Sequence, residues 1–448
     1  MRNILKTTLI AALLTATPAI GAQACFYVAP NGADGAPGTR SAPFQSLERA
    51  RDAMRTSDTR CTYLRMGEYR RTQPLLLTQP DNGQVWSADP SDPPLQAHLN
   101  GQGTLTDIIL IQGGSHITID GLKMSDVLYR GVGIHGGQAH IRDFVMGTDV
   151  PPAMDNIVRN TEVYNISAPR GFDSSFWNTG GVAAVGNVKS TIIENNYFHD
   201  IASMGLRIVN SGAKDHDISG ARITNNIVKR AVRTISDAGS IYVQDIYGRG
   251  TDIEIKGNFV EDFQGPSNGQ GRGIYLDMAT SNTTIEDNVI VAGPHAAEGT
   301  SAIITSGGNN ILIKNNIIDL GSTGRVFPFS YIRPVHFSTD MKNVSFKSNI
   351  ILAEFSGKQS THFVGTRGFA YPCGGAISTP ATITFNMYHN SAGGEERTDG
   401  NCSGDQNPIH ANPRVIGANY QIAPGSPALA APLDFKTLPR LWGPRPKG

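Results

Sequence analysis

An asparagine that recurs every 28 to 36 residues limits the folds open to this chain more than any other feature. It falls at positions 160, 196, 226, 258, 288, 316 and 349, with steps of 36, 30, 32, 30, 28 and 33 residues. An apolar pair usually follows it, as in Asn316-Ile317-Ile318. A second short strand, often introduced by glycine, completes each unit, as in Gly273-Ile274-Tyr275-Leu276. Units of this length with several short strands predict a β-solenoid.

Physical properties of asparagine suit this arrangement. Its side chain tolerates the left-handed backbone conformation of a sharp corner, and stacked amides can hydrogen-bond from one coil to the next. A leucine-rich repeat lacks this spacing, and a propeller needs four longer antiparallel strands per blade. The 38 basic and 38 acidic residues give a formal net charge of zero, which argues against a nucleic-acid partner.

Both ends of the chain carry segments typical of one superfamily. The N-terminal segment includes Phe26-Tyr27-Val28-Ala29-Pro30-Asn31-Gly32, and the C-terminal one includes Asn412-Pro413-Arg414-Val415. With the asparagine repeat, these segments resemble the right-handed β-helix superfamily of carbohydrate-active proteins. The resemblance implies an all-β, single-domain right-handed parallel β-helix, with a capping helix over residues 47–54.

Four parts of the chain are expected from these patterns. Residues 1–24 form a signal peptide, 25–105 the cap and first coils, 106–355 the central coils with the site, and 356–448 the last coils, a disulfide loop and a tail. Arg2 and Lys6, a short apolar run and Ala22-Gln23-Ala24 are typical of a secretory signal cut after Ala24. We expect a secreted or periplasmic protein with no membrane insertion, and a monomer.

Four cysteines in an exported chain predict two disulfides. Cys25 and Cys61 each open a strand-like segment, so their bridge would hold the N-terminal cap if those strands pair. Cys373 and Cys402 would tie a C-terminal loop. The chain has no Cys-x-x-Cys pair, and no metal ligand set is predicted.

Alternation of side chains along each strand predicts one polar outer face. The central part of this face holds Arg207, Tyr242, Gln244, Tyr275 and Asp277, with His135 toward one end and His336 toward the other. Two exposed aromatic rings beside charged and amide groups favour a sugar site. Arg272, Trp177 and His295 complete the predicted substrate-binding set. Ordinary solvated side chains remain the alternative interpretation.

Three acids near this face are candidates for catalysis, namely Asp237, Asp277 and Glu298. Glycoside cleavage usually requires two carboxyl groups. The segments Asp237-Ala238-Gly239-Ser240-Ile241-Tyr242 and Gly273-Ile274-Tyr275-Leu276-Asp277 resemble a pattern of β-helical glycoside hydrolases of the β-xylosidase, lacto-N-biosidase and fucosidase type. The resemblance implies Asp277 as nucleophile or base and Glu298 or Asp237 as acid. Met278 stands where many relatives have a second Asp.

Two other functions remain open from the sequence. A polysaccharide lyase would cleave a uronate-containing glycan by β-elimination with Lys189 and Arg207, by resemblance to the chondroitinase B and alginate lyase group, and would use Ca²⁺. A hydrolase would need no cofactor. A non-catalytic glycan-binding solenoid would leave the three acids scattered. A polysaccharide or oligosaccharide is the expected partner in each case.

Overall fold

A computed structural model describes most of the chain after residue 24. The described residues are 25–137, 150–168, 179–210, 216–235, 237–263, 271–293, 301–322, 342–354, 356, 382–393, 405–436 and 442–444, with the backbone of 140–141, 144–145 and 327–332. The predicted signal peptide lies outside these residues. No helix among the described residues is long and apolar enough to cross a membrane.

Three long parallel sheets contain nearly all of the strands. Sheet A has 12 strands: Phe26–Val28, Cys61–Leu64, Val85–Ala88, Thr118–Asp120, Ile157–Arg159, Ile192–Glu194, Arg222–Thr224, Ile253–Lys256, Thr283–Glu286, Ile311–Lys314, Val344–Lys347 and Thr382–Thr384. Sheet B also has 12: Gly67–Arg70, Ala97–Asn100, Lys123–Val127, Glu162–Ile166, Tyr197–Ile201, Ile227–Lys229, Phe259–Glu261, Val289–Val291, Ile317–Asp319, Ile350–Ala353, Met387–Asn390 and Ile409–His410.

Sheet C is the shortest of the three and carries the polar face predicted from the sequence. Its nine strands are Leu75–Leu77, Asp107–Gln112, Arg130–Gly136, Gly180–Gly186, Leu206–Asn210, Ala238–Asp245, Gly271–Met278, Ser301–Ser306 and Phe327–Ile332. Two small antiparallel hairpins lie outside the solenoid: His140–Ile141 with Phe144–Val145, and Val415–Ile416 with Gln421–Ile422.

Between residues 61 and 332, each coil supplies one strand to each sheet. One such coil runs through Tyr197–Ile201 in sheet B, Leu206–Asn210 in sheet C and Arg222–Thr224 in sheet A. Every strand pairs in parallel with its counterpart in the next coil, and the inward aliphatic side chains of all three sheets form one continuous core. The predicted all-β, single-domain parallel β-helix is confirmed.

The asparagine repeat forms a buried ladder through the solenoid. Seven fully buried asparagines are stacked, each accepting hydrogen bonds of 2.8 to 3.0 Å from the residue one coil before it: Asn196, Asn226, Asn258, Asn288, Asn316, Asn349 and Asn386. Asp405 ends the ladder by accepting from Asn386. The coil-to-coil stacking predicted for asparagine is therefore confirmed.

Two details of the repeat differ from the prediction. The first rung is Thr161, whose hydroxyl group donates to Asn196; Asn160 lies one position earlier and does not join the ladder. The left-handed backbone falls on the residue before each rung, as at Asn195 (φ 55°) and Asn225 (φ 56°). The residue that turns the corner and the residue that stacks therefore occupy adjacent positions in the chain.

A short helix and a disulfide close the N-terminal end. The helix runs over Leu47–Arg55, and the Ser46 side chain accepts a hydrogen bond from the Arg49 N–H at its start. Leu47 and Met54 are buried on its core side, as expected for a cap. Cys25 and Cys61 form the predicted disulfide, with an S–S distance of 2.00 Å. Cys373 and Cys402 lie outside the described residues.

The C-terminal tail folds back against the outer face of sheet B. Outward residues such as Phe259 and Ile317 form an apolar cluster with Ile422, Leu433 and Phe435 of the tail. The Tyr420 hydroxyl group donates to Asp319 at 2.6 Å. This packing covers the C-terminal half of sheet B with apolar side chains, whereas sheet C carries buried charged groups.

Candidate active site

The outer face of sheet C brings together most of the predicted site residues. Arg207 pairs in register with Tyr242, and Tyr242 with Tyr275. In the neighbouring column, Gln244 pairs with Asp277. His135 belongs to the same column as Gln244 and is connected to it through Val185 and Val209. Ile241, Val243, Ile274 and Leu276 alternate with these residues and are buried in the core. The predicted register is confirmed.

Asp277 is a buried, hydrogen-bonded acid on this face. It is 8 % exposed. The Tyr242 hydroxyl group donates to its Oδ2 at 2.6 Å, and the Met278 N–H donates to its Oδ1 at 2.7 Å. The Tyr275 side chain also acts on this carboxyl group and lowers its pKa. These donors hold the carboxylate in one orientation.

Burial raises the pKa of Asp277, and the negative charge of Asp237 raises it further. The hydrogen bonds from Tyr242 and the Met278 N–H, together with the Tyr275 hydroxyl group, act in the opposite direction because they stabilise the ionised carboxylate. Burial also raises the pKa of Tyr242 well above its ordinary value, and the Asp277 charge adds to this rise. Asp277 is therefore a stronger base than an ordinary aspartate, and Tyr242 remains a neutral donor.

The expected exposure of the two tyrosine rings is wrong. Tyr242 and Tyr275 are 2 % and 4 % exposed, and their rings meet edge to face with centroids 5.2 Å apart. The Arg272 guanidinium lies over the Tyr275 ring at 4.5 Å, and that of Arg207 lies 5.7 Å from the centre of the Tyr242 ring. These rings pack against arginines and position Asp277, so their faces are not open for stacking on a sugar.

Asp237 lies at the entrance to the same strand pair. Its side chain is 55 % exposed, and its Oδ1 is 3.0 Å from Nη1 of Arg272. The backbone at Asp237 has a φ of 57°, a left-handed conformation that aspartate tolerates better than most residues. The negative charge of Asp237 raises the pKa of Asp277.

A buried charged cluster extends the face toward the N-terminus. Nη2 of Arg130 donates to Oδ2 of Asp107 at 2.9 Å, and Nε donates to the other carboxylate oxygen. Nη1 of Arg130 is 3.4 Å from Nε2 of His135. Asp107, Arg130, His135 and Arg207 are all at most 3 % exposed. His135 and Arg207 were predicted on this face from the sequence, whereas Asp107 and Arg130 were not.

A signal for the missed pair does exist in the sequence. Asp107 and Arg130 each open a strand of sheet C and pair in register. Gly133 faces outward beside them: a Cβ at this glycine would lie 2.8 Å from Asp107 Oδ1 and 3.3 Å from Arg130 Nε. Opposite charges at equivalent strand starts, with a glycine on the outward position, predict such a pair.

Several predicted residues are not part of the described site. Lys189 lies in the turn after the strand Gly180–Gly186, where its Nζ is 3.4 Å from Asp217, so it is not beside Arg207 on the outer face. Four predicted residues lie outside the described residues: Trp177, His295, Glu298 and His336. Within the described part of the chain, no three His, Cys, Asp or Glu side chains converge as metal ligands.

A second concave surface lies near the edge of sheet B, away from Asp277. It has a volume of about 620 Å³, and three acids are among its lining residues: Glu68, Asp126 and Asp200. Asp200 is engaged by Arg230 through two hydrogen bonds of 2.7 Å, and Glu68 accepts from Asn100 at 2.9 Å. Their ion pairs and hydrogen bonds make this surface a weaker candidate for acid–base chemistry.

Comparisons with known proteins agree with the architecture. A family described as "right handed beta helix region" matches residues 106–353. No curated protein matches the sequence. A solved complex of XylC with xylose shares 11 % identity and a TM-score of 0.52, over 87 % of each chain. The lacto-N-biosidase of Eubacterium ramulus shares 11 % identity and a TM-score of 0.50, over 87 % of this chain and 67 % of that one.

Proposed function

We propose, on the premise that the chain belongs to the right-handed β-helix family, that it hydrolyses glycosidic bonds on the outer face of sheet C. The observation that carries the proposal is the environment of Asp277. A buried carboxyl group with a raised pKa accepts hydrogen bonds from the Tyr242 hydroxyl group and the Met278 N–H, and it interacts with a second, largely exposed carboxylate, Asp237.

Glycoside hydrolysis needs two carboxyl groups in unlike environments. We assign Asp277 as nucleophile or base, because its hydrogen-bond donors favour the ionised form and its raised pKa strengthens it as a base. The Asp237 carboxylate is already engaged in an ion pair with Arg272. The proton donor is therefore better assigned to Glu298, which precedes the next sheet C strand in the sequence.

The substrate class receives support from two of the similar folds. One is, by its description, a complex with xylose, and the other is a lacto-N-biosidase. A polysaccharide or oligosaccharide is therefore the proposed substrate. Arg272 lies beside both Tyr275 and Asp237, and Gln244 lies beside Asp277. These two residues are the proposed polar contacts to the sugar.

The proposal is tested by measuring new reducing ends after incubation with a panel of neutral and uronate-containing glycans. Asp277→Asn should lose activity by about 10²- to 10⁴-fold, as expected for loss of a catalytic base. Glu298→Gln and Asp237→Asn identify the proton donor, because only the donor variant should regain turnover on substrates with an activated leaving group. Full activity of Asp277→Asn would contradict the assignment.

A polysaccharide lyase is the second candidate function. The buried guanidinium of Arg207 favours it, because a lyase must hold the carboxylate of a uronate. The position of Lys189 beside Asp217 opposes its predicted part in such a reaction. The two functions differ in their product: a lyase forms an unsaturated uronate that absorbs in the ultraviolet, and EDTA should abolish its activity if Ca²⁺ takes part. Binding of a glycan without cleavage would favour a non-catalytic solenoid.

We also propose that the protein is exported after cleavage following Ala24. The disulfide between Cys25 and Cys61 supports an oxidising compartment. N-terminal sequencing of the protein recovered from the periplasm or medium should then begin at Cys25. A product that retains residues 1–24 in the cytoplasm would contradict the proposal.

A further inference from the structure

We propose that the ligand of the sheet C face carries a monoanionic substituent, a carboxylate or a sulfate ester, and that Arg207 binds it between Arg130 and Tyr242. The inference deepens the proposed function, since it uses the same face, but its test measures binding and does not depend on bond cleavage.

The first observation is the condition of the Arg207 side chain. Arg207 is 2 % exposed, and its Nε and Nη1 atoms have no hydrogen-bond partner among the described residues. Burial lowers the pKa of Arg207 to about 10, so the guanidinium is still charged at neutral pH. A buried charge without hydrogen bonds is costly in a folded protein. Such a group is retained most readily where a ligand supplies the missing acceptors.

The second observation is the balance of charge around Arg207. Arg130 is already neutralised by Asp107 through two hydrogen bonds. Burial, together with the charges of Arg130 and Arg207, lowers the pKa of His135 well below its ordinary value, so this imidazole is neutral. Among the described residues, two positive charges and one negative charge leave one positive charge uncompensated, which fits a monoanion better than a phosphate dianion.

The third observation is the size of the neighbouring side chain. Ala183 pairs in register with Arg207 on one side and Gly133 on the other, and the Arg130–Asp107 pair lies against Gly133. In this outward column, Ala183 contributes only a methyl group between Arg207 and Gly133. His135 Nδ1 is also buried without a hydrogen-bond partner among the described residues. It provides a second polar atom for the anion.

The anion site is close enough to Asp277 for one ligand to reach both. Arg207 and Asp277 lie on strands two spacings apart, roughly 10 Å. Tyr242 lies between them: its ring is 5.7 Å from the Arg207 guanidinium carbon, and its hydroxyl group is 2.6 Å from Asp277. A glycan that places a glycosidic bond at Asp277 can therefore place the substituent of an adjoining sugar at Arg207.

The test is calorimetric titration of the Asp277→Asn protein, which should not consume the ligand. Three matched sets are compared: uronate oligosaccharides, the same oligosaccharides after reduction of the carboxyl groups to alcohols, and sulfated oligosaccharides. We expect one anionic set to bind about 10- to 100-fold more tightly than the neutral set, the range for a hydrogen bond to a charged group. The set that binds identifies carboxylate or sulfate ester.

Variants at Arg207 separate a ligand contact from a structural role. Adding Arg207→Gln to the Asp277→Asn protein should remove the 10- to 100-fold preference for the anionic set and leave binding of the neutral set unchanged. Arg207→Lys should retain part of the preference. Arg70→Gln, at an exposed arginine of sheet B, is the matched control and should change neither. Circular dichroism of each variant checks that the solenoid remains folded.

The outcomes distinguish this inference from the proposed function. The anion site would be overturned by any of three results. These are equal binding of anionic and neutral glycans, an equal loss of binding of both kinds of glycan in Arg207→Gln, and no binding of any anionic set. Cleavage of neutral glycans alone, unaffected by Arg207→Gln, would preserve the hydrolase and overturn the anion site. Anion-selective binding without cleavage by the wild-type protein would preserve the anion site and contradict the hydrolase.

Discussion

The hydroxyl group of Tyr242 donates a hydrogen bond of 2.6 Å to Oδ2 of Asp277 across two adjoining strands of sheet C. Both residues are almost fully buried, so water cannot easily replace the bond. The pKa of Asp277 results from two opposing effects: burial and Asp237 raise it, whereas the hydrogen bonds lower it. Removing the Tyr242 hydroxyl group leaves the raising effects and takes away the largest lowering one.

Tyr242→Phe should therefore raise the pKa of Asp277 further. If Asp277 must be ionised to act, the acid limb of the activity profile moves to higher pH, and activity near neutral pH falls more than activity at high pH. The measurement is kcat/KM against pH for the variant and the wild type. A uniform loss at every pH would indicate that Tyr242 contributes only to packing. Tyr164→Phe, at a tyrosine of sheet B, is the control and should leave the profile unchanged.

Asp277→Asn should reduce activity without reducing stability at neutral pH. An acid whose pKa is raised in the folded state binds its proton more tightly there than in the unfolded chain. As pH rises from about 4 to the raised pKa, ionisation therefore lowers the free energy of unfolding. Asparagine does not titrate and still accepts from Tyr242. Across this pH range, the free energy of unfolding of the variant should therefore increase relative to that of the wild type.

Thermal unfolding at several pH values measures this difference. Asp237→Asn provides the comparison, because Asp237 is largely exposed and its pairing with Arg272 is partly solvated; its effect on Tm should be small at every pH. A lower Tm of Asp277→Asn at neutral pH would show that the charged carboxylate stabilises the fold, and that the hydrogen bonds outweigh the cost of burial.

The architecture could be predicted because each coil repeats the same local residue pattern. The asparagine steps, the glycine or other small residue before several sheet C strands and the alternation of aliphatic residues together specified the solenoid and the register of Arg207, Tyr242 and Tyr275. The first rung was misplaced by one residue, since Asn160 and Thr161 are both capable of joining such a ladder. Only the register of the strands places Thr161 there.

The side-chain environment of the site was less predictable. Strand alternation specifies that Tyr242 and Tyr275 point outward, but it does not specify whether that face is exposed. Burial of the two rings depends on what lies above the sheet, including the arginines that pack against them. The Arg130–Asp107 pair likewise depends on the register between strands 23 residues apart, which the asparagine repeat does not mark.

The asparagine ladder makes a direct contribution to stability that can be measured. Oδ1 of Asn258 accepts from both the N–H and Nδ2 of Asn226. Asn258→Ala leaves these buried donors short of an acceptor, and the free energy of unfolding should fall by about 3 kcal/mol. Denaturant unfolding provides the measurement.

An exposed ladder offers the matched control for that change. Nδ2 of Asn310 donates to Asn282, and Asn343 donates to Asn310, each at 2.9 Å. Because water can satisfy the groups left behind, Asn310→Ala should cost only about 1 kcal/mol, most of it from the left-handed backbone at this residue (φ 55°). Equal losses at Asn258 and Asn310 would show that burial of the ladder is not the source of its contribution.

The disulfide between Cys25 and Cys61 should stabilise the N-terminal cap. It joins strands that pair in parallel at the end of sheet A, across a sequence separation of 36 residues. Replacing both cysteines with serine releases that constraint on the unfolded chain and should cost about 2–4 kcal/mol, seen as a lower Tm. A reductant should lower the Tm of the wild type by more than that of the double variant, because only the wild type has this bridge to lose. An unchanged Tm in the double variant would show that the packing of the capping helix is sufficient to hold this end of the solenoid.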